Sequence, residues 1–361
     1  MITNGSTFHP EDVTLLLNDI TGIIQPKSTE EREKLIQTGI HYSEMLPIEY
    51  KPSEKYLNEY YRALDNFAYE TSAAVAAVSQ KIYQEKGPGT ILVSLARAGT
   101  PIGVLIKRYL RKYYSIDAPH YTISIVRGRG IDKTAMRHII NLHPAKNIQF
   151  LDGWTGKGAI LDELSEAAKE FTGDQNTRQL LAVLADPANI TDICGTHEDI
   201  PIASSFLNST VCGLISRTVI LPNLPPNELH GVAINHDLRP HDRTYEFIDK
   251  IESHFENANM NTPNQKQTDH AQDTFKGIDE VREIAKKYNI ADINYIKPGI
   301  GEATRVLLRR IPETIIISET AQPRHIAHLI QLAQEKQVPI THLPLRRYKA
   351  CGIIKTLTPD L

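Results

Sequence analysis

Short apolar runs that alternate with helical stretches constrain this chain more than any other feature. Thr90–Leu95 (TILVSL), Tyr121–Val126 (YTISIV), Asn147–Leu151 (NIQFL) and Leu180–Ala185 (LLAVLA) read as strands. Between and around them, Lys55–Lys86, Pro101–Tyr114 and Ala159–Phe171 carry apolar residues at helical spacing, and Gly87-Pro88-Gly89 is a clear stop after the first. Strands alternating with helices of this length indicate a parallel α/β sheet. In such sheets ligands sit beyond the carboxyl ends of the strands, so the turns leading into helices are where chemistry is expected.

The 361 residues allow about two domains. Asn257–Gln272 (NANMNTPNQKQTDHAQ) is too polar to bury a core and reads as a linker. This divides the chain into 1–256, a linker at 257–274, and 275–361. From Lys276 onward the net charge is +5 and before it −8, so a nearly neutral total hides a basic C-terminal module, of the kind that meets a polyanion. A composition of 41% hydrophobic and 23% charged residues excludes disorder throughout, collagen and a disulfide scaffold. No apolar run approaches the roughly 20 residues that cross a bilayer. Met1–Gly5 lacks a signal peptide's basic and apolar regions. Three cysteines, Cys194, Cys212 and Cys351, suit a reducing compartment. The expected protein is soluble and cytoplasmic.

Three turns carry candidate chemistry. Ser94–Pro101 runs a strand into Ala96, Arg97, Ala98 and Gly99; free amides at a helix start plus one cation make an anion cradle. Asp152, Gly153, Trp154, Thr155, Gly156, Lys157, Gly158 and Ala159 lie between a strand and a helix. Their glycines allow close backbone approach, Thr155 and Lys157 can donate to phosphate, and Asp152 can accept from sugar hydroxyls or hold magnesium. It is not a Walker A loop, failing in spacing and final residue. Arg127–His138 (RGRGIDKTAMRH) reads as a mobile basic loop able to close over a charged ligand.

Together these turns resemble the type I phosphoribosyltransferases, in order along the chain. Ala96-Arg97-Ala98-Gly99 is similar to the pyrophosphate loop, Arg127–Arg137 to the flexible loop, and Asp152–Ala159 to the five-carbon-phosphate loop. Departures are a missing residue between Asp152 and Thr155, Leu151 for an acid, Trp154 before Thr-Gly and Gly158 for a Thr. DGWTGKGA, His41–Glu44 (HYSE), and Gly195–Pro201 (GTHEDIP) through Ser216-Arg217-Thr218 resemble a divergent bacterial branch. That branch is associated with tellurium-resistance and stress-response gene clusters and carries a C-terminal Pelota-type RNA-binding domain. The resemblance implies a phosphoribosyltransferase-like parallel sheet with an N-terminal helical extension, plus a small α-β-α sandwich of Pelota/L7Ae type. It implies transfer from 5-phosphoribosyl-1-pyrophosphate (PRPP) with Mg to an acceptor the sequence does not name. Asp152 would fix the ribose and carry the metal through the ligand, Arg97, Arg129 and Lys133 would stabilise the leaving pyrophosphate, and Ala96–Gly99 and Asp152–Ala159 would hold PRPP.

In the C-terminal module, Lys297–Arg305 (KPGIGEATR) resembles the RNA-contacting turn of the Pelota and L7Ae families, with Gly301 where Asn is usual and Glu302 kept. Leu343–Gly352 resembles the second RNA loop. Structured RNA is the implied partner, met by Lys297, Gly299, Gly301, Glu302, Arg305, Arg346, Arg347 and Lys349; a protein-docking module is the other reading. Relatives labelled cysteine peptidases (StiP) imply a rival activity through Cys212 or Cys194. Cys194 lies three residues before His197, with Asp192 and Glu198 near, but no protease signature or zinc spacing is present, and Cys212 beside Gly213 reads as a core residue. A third alternative is a nucleotide-sensing, RNA-bound regulator without catalysis. A homo-oligomer is left open.

Overall fold

A computed structural model describes residues 5–49, 51–171, 173, 176–222, 224–225, 227–261 and 275–356. Two short strands, β1 (Thr14–Leu15) and β2 (Asn18–Asp19), precede helix α1 (Thr29–Gln37), capped by Ser28, which accepts from the Glu31 amide. Helix α2 (Glu54–Lys86) runs for 33 residues from the Ser53 cap, which accepts from the Tyr56 amide, to Gly87. Tyr56, Tyr60, Leu64, Phe67, Val75, Val78 and Ile82 recur at helical spacing along its buried face. Each fully buried large aliphatic or Phe contributes roughly 1.5–3 kcal/mol, which explains how so long a helix is held against the sheet.

Then follow β3 (Ile91–Leu95), α3 (Gly99–Tyr114), β4 (His120–Ile123), a hairpin of β5 (Ile125–Val126) and β6 (Gly130–Ile131), and α4 (Lys133–Leu142). After these come β7 (Ile148–Trp154), α5 (Ala159–Phe171), the single turn α6 (Thr177–Leu180), β8 (Leu181–Ala185) and β9 (Cys194–Thr196). β1, β4, β3, β7, β8 and β9 form one six-stranded sheet in that order, parallel throughout. β3 and β8 are buried at every position, as strands covered on both faces must be. β10 (Gly231–Val232) pairs with β2, and α7 (Thr244–Glu252) and α8 (Phe255–Asn261) close the domain.

Three expectations need correction. The run Tyr121–Val126 is two strands broken at Ser124. The mobile loop at Arg127–Arg137 is a hairpin followed by the first half of α4, because the Asp132 side chain caps that helix by accepting from the Ala135 amide. The linker expected from residue 257 begins inside α8, which reaches Asn261; residues 262–274 lie outside the described residues.

The C-terminal module comprises α9 (Gly277–Lys287), β11 (Ile296–Pro298), α10 (Ile300–Arg309), β12 (Pro312–Ser318), α11 (Pro323–Glu335), β13 (Ile340–Leu343) and β14 (Ala350–Ile354). Its sheet runs β11-β14-β12-β13, with β12–β13 parallel and the other pairs antiparallel. α9 has its own small core, whereas Ile300, Leu307, Leu329 and Leu332 of α10 and α11 join the main core with Phe67, Phe206 and Val211. The seam also buries His328 stacked 3.7 Å from Phe206 and hydrogen-bonded to Thr304, and it is tied outside by Arg310 to Glu33 at 2.7 and 2.8 Å. His325 is buried too, against Phe67. No helix among the described residues is long and apolar enough to cross a membrane.

Candidate functional site

Two constellations meet beyond the carboxyl ends of the parallel strands. The first is a cavity of about 360 Å³ between the domains. Of the residues expected to hold a phosphate ligand, Ala96, Arg97, Ala98, Asp152, Trp154, Thr155, Gly156, Lys157, Gly158 and Ala159 line it. Asp152, Gly153 and Trp154 belong to β7 itself, not to a loop. Gly99 stands where a Cβ would lie 2.4 Å from the Leu151 carbonyl oxygen, so a packing demand fixes that glycine. Arg97 is paired with Glu49 at 2.7 Å, both side chains nearly buried, and also donates to the Ile215 carbonyl at 2.9 Å. Asp152 accepts from the Gly153 amide at 2.7 Å, and burial pushes its carboxyl up to about 6. Arg129 and Lys133 lie outside the lining, each committed to a half-exposed ion pair, with Glu44 and Glu170.

The far wall comes from the C-terminal module. Lys297, Glu302 and Arg305 line the cavity, and the Arg305 guanidinium sits 4.5 Å over the Trp154 ring while pairing with Glu302. Gly301 lies where a Cβ would come within 2.5 Å of Trp154, so α10 docks there only because the side chain is absent. Gly299 and its neighbour are held by Asp199, which accepts from the Ile300 amide at 3.1 Å and the Lys349 amide at 2.8 Å. Arg347 donates to the Phe275 carbonyl and Lys349 Nζ to Glu198; of the expected RNA contacts only Arg346 is exposed, its guanidinium over Phe275. The turn expected to read RNA is therefore folded inward against the first domain.

The second constellation follows from one register. β8 and β9 pair Ala185 with Thr196, so the residues that directly follow the two strands, Asp186 and His197, stand side by side. His197 Nε2 is 3.5 Å from Cys194 Sγ, while Nδ1 is 3.3 Å from Asp186 Oδ2 and donates to the Asp186 carbonyl at 3.1 Å. The Asp186 carboxylate, wholly buried, is satisfied as an anion. Its Oδ1 accepts from Thr155 Oγ1 at 2.7 Å, and Oδ2 from the Ile190 and Thr191 amides at 2.9 and 3.0 Å. Hydrogen bonding to Asp186, and next to Cys194, raises His197 to about 10. Sγ is also 3.9 Å from Nδ1, so thiol, imidazole and carboxylate form a compact cluster within 4.8 Å of one another; these are the residue types of a cysteine nucleophile with its base and orienting group. The same three side chains could also grip a metal ion. Thr155 belongs to both constellations, lining the cavity and bonding to Asp186.

The remaining thiols differ. Cys212 is buried and pushed up to about 11 by burial, and no histidine hydrogen-bonds to it among the described residues. Cys351 lies inside β14 and is pushed up to about 12. Asp186 was missed by sequence reasoning, although an acid directly after the buried strand LLAVLA is a position that the carboxyl-end rule singles out.

Residues 6–252 match the family described as tellurite-like stress resistance cysteine protease StiP, and residues 275–356 match the PELOTA RNA binding domain. A protein of Acinetobacter baylyi named Cysteine protease StiP is 33% identical over 372 residues, covering 98% of this chain and 94% of that one. These matches overturn the expectation of a phosphoribosyltransferase using PRPP, and with it the transfer roles expected of Asp152, Arg97, Arg129 and Lys133. Magnesium was expected only with that substrate. The donor set at Asp152 does not fit a resident ion needing several oxygens, since the other acid lining the cavity, Glu302, is engaged by Arg305.

Proposed function

The chain belongs to the StiP family of tellurite-like stress resistance cysteine proteases, and on that premise we propose that it cleaves peptide bonds with Cys194 as nucleophile. The observation that carries the choice of Cys194 over Cys212 is the imidazole 3.5 Å from its sulfur, with a buried carboxylate behind it. The proton of the Cys194 thiol passes to His197 Nε2, leaving a thiolate beside an imidazolium whose Nδ1–H faces Asp186. The thiolate attacks the scissile carbonyl carbon; His197 returns the proton to the departing amine, leaving an acyl thioester. Water, deprotonated at Nε2, then hydrolyses the thioester and restores the thiol. Cys194 is only 1% exposed, so a scissile carbonyl reaches the sulfur only when the shell around it opens.

Alkylation at mildly acidic pH tests this without knowledge of the substrate. Iodoacetamide at pH 6, followed by peptide mass mapping, should modify Cys194 ahead of Cys212 and Cys351, and the His197→Ala chain should lose that preference. With labelled casein, Cys194→Ala should be folded and inactive and Cys212→Ala active. Labelling at Cys212 alone, or stoichiometric zinc that protects Cys194, would replace this reading with another thiol or with a metal centre.

For the C-terminal module we infer RNA binding, supported by the Pelota match and by the exposed Arg346. Lys297, Gly301 and Arg305 face the first domain, so RNA that uses them competes with domain docking. Hairpin RNA should bind the full chain weakly, with affinity falling steeply between about 50 and about 200 mM salt; equal binding by Arg346→Ala would remove Arg346 from the contact. The parallel sheet, with a short turn after β3 and a Gly-rich turn after β7, supports a phosphoribosyltransferase-like layout as the scaffold's origin, without its activity.

A further inference from the structure

The Cys194 cluster is assembled by pairings within the first domain, yet the segments around it are also fastened to the C-terminal module. Thr155, which holds Asp186, is followed by Gly156, whose carbonyl accepts from the buried Tyr348 hydroxyl at 2.9 Å. The Ala188 amide donates to Thr155 Oγ1 at 3.3 Å, and the Ala188 carbonyl accepts from the Gly277 amide at 3.0 Å. Directly after His197, Glu198 pairs with Lys349 Nζ at 3.1 Å, and Asp199 accepts from the Ile300 and Lys349 amides. The turns beside Asp186 and the residues that follow His197 therefore share one partner. On the module's side this contact is built. Glu280 of α9 is buried, and its carboxylate accepts from the Arg346, Arg347 and Tyr348 amides, which fixes the path of that loop. A buried Tyr hydroxyl takes a hydrogen-bond partner, and for Tyr348 that partner lies across the seam. Gly277 opens α9 where a Cβ would overlap the Tyr348 hydroxyl and come within 2.8 Å of Ala188 Cα, so a side chain there would push the two domains apart. Ile300, Leu307, Leu329 and Leu332 sit in the main core, and an apolar seam of that kind holds a module in one place.

We propose that Tyr348 and Asp199 are positioning residues of the cysteine site, so that hydrolysis by the first domain needs the C-terminal module docked against it. The inference rests on the peptidase reading with Cys194 as nucleophile. Tyr348 fixes the turn that carries Thr155 and, through Thr155, the Asp186 carboxylate. Asp199 ties the chain just beyond β9 to α10 and to the Lys349 amide, and so holds the stretch on which His197 stands. Both act through other groups: their loss misplaces the cluster without removing any member of it, and small misplacements of reacting groups are costly in rate. The loop that resembles a second RNA contact thus has a task on its inner side, and Arg346 is its exposed member.

Tyr348→Phe in the full chain removes the hydroxyl and little else, so it should melt within a few degrees of the parent. Its kcat on labelled casein should fall about fivefold with KM unchanged, the worth of one hydrogen bond. The alkaline limit of its pH–rate profile should move to lower pH, because Asp186 is what holds His197 high. Asp199→Ala should lower kcat at least tenfold, and Asp199→Asn, which keeps one acceptor oxygen, should recover most of the loss. Ile316→Val, in the module's own small core, should lower the melting temperature and leave kcat and the profile in place. Iodoacetamide at pH 6 reads the same cluster without a substrate: the preference for Cys194 over Cys212 should shrink in Tyr348→Phe and persist in Ile316→Val. A parent chain without that preference would remove the peptidase reading, and this inference with it. A parent that shows it, alongside Tyr348→Phe and Asp199→Ala chains with the parent's kcat, profile and labelling, would overturn this inference alone. So would a Tyr348→Phe chain whose activity falls only in proportion to its folded fraction.

Discussion

Two histidines of the first domain, His120 and His197, each stand beside a hydroxyl or thiol and an aspartate, and their difference shows what makes a histidine chemical. His120 Nε2 lies 2.7 Å from Ser94 Oγ, and its Nδ1 donates to the backbone carbonyl of Asp12 at 2.8 Å. His197 Nε2 lies 3.5 Å from Cys194 Sγ, and its Nδ1 faces the Asp186 carboxylate. A carbonyl gives too little to hold a buried imidazolium, so burial pushes His120 down to about 4. The carboxylate, itself satisfied by Thr155 and two amides, raises His197 to about 10. The Asp12 carboxylate, which could have served His120, is instead turned to Arg108 at 2.7 Å and Tyr245 at 2.8 Å. In both clusters Nδ1 meets an aspartate backbone carbonyl; only at His197 does the carboxylate of that aspartate face it as well.

The sharpest way to break this comparison is to remove each histidine. His197→Ala should lower peptide hydrolysis by on the order of 10³–10⁴, since it takes away both the base and the leaving-group acid. His120→Ala should leave the turnover of the folded fraction unchanged and instead destabilise the chain by about 2–4 kcal/mol through a cavity and orphaned partners. Measuring activity per folded molecule, from active-site titration and thermal melts together, separates the two. Equal losses of turnover would mean that the Ser94 cluster has a chemical part after all.

Next in size is the pH dependence of stability, where the two histidines act with opposite sign. His120 is held below its unfolded value of about 6.5, so the unfolded chain binds more protons as pH falls from 6.5 towards 4, and stability is lost in that window. The full swing is about 3 kcal/mol for a group so buried. His197 is held above its unfolded value, so its contribution is complete below pH 6.5 and is lost as pH rises towards 10. Urea unfolding from pH 4 to 10 should show both flanks. The acid flank should flatten in His120→Asn and the alkaline flank in His197→Asn; flanks that ignore the substitutions would sink the assignment.

How much of this was legible beforehand follows from the kind of signal each part leaves. The helix at Ala159–Phe171 and the buried strands were readable because their periodicity is local. β9 was not, because three residues, Cys194–Thr196, leave no pattern of their own. With β9 unseen, the register that sets Asp186 beside His197 was invisible, and the Cys194–His197 spacing looked accidental. Gly153 was read as part of the loop although β7 runs to Trp154, since turn chemistry outweighed the apolar run before it; Gly156 and Gly158 do lie in the turn that follows. Gly301 was read as an RNA contact standing where Asn is usual, whereas the structure packs it against Trp154, some 150 positions away. Resemblance of local turns to a transferase misassigned the chemistry, because residues such as Asp186 and His197 are brought together only by pairings distant in sequence.

The smallest expected effect sharpens the comparison most, because it concerns a residue that touches neither histidine. Thr155 donates to Asp186 Oδ1 at 2.7 Å while its own hydroxyl accepts from the Ala188 amide at 3.3 Å, so it fixes the carboxylate from the side opposite His197. It is a positioning residue. Thr155→Val keeps the shape and removes the donor, leaving a buried carboxylate oxygen unmet. About a tenfold fall in kcat with little change in KM is expected, and the alkaline limit of the pH–rate profile should move as Asp186 loses its hold. Thr155→Ser should restore both. A merely structural threonine would lower the melting temperature in the valine variant and leave the pH profile where it was.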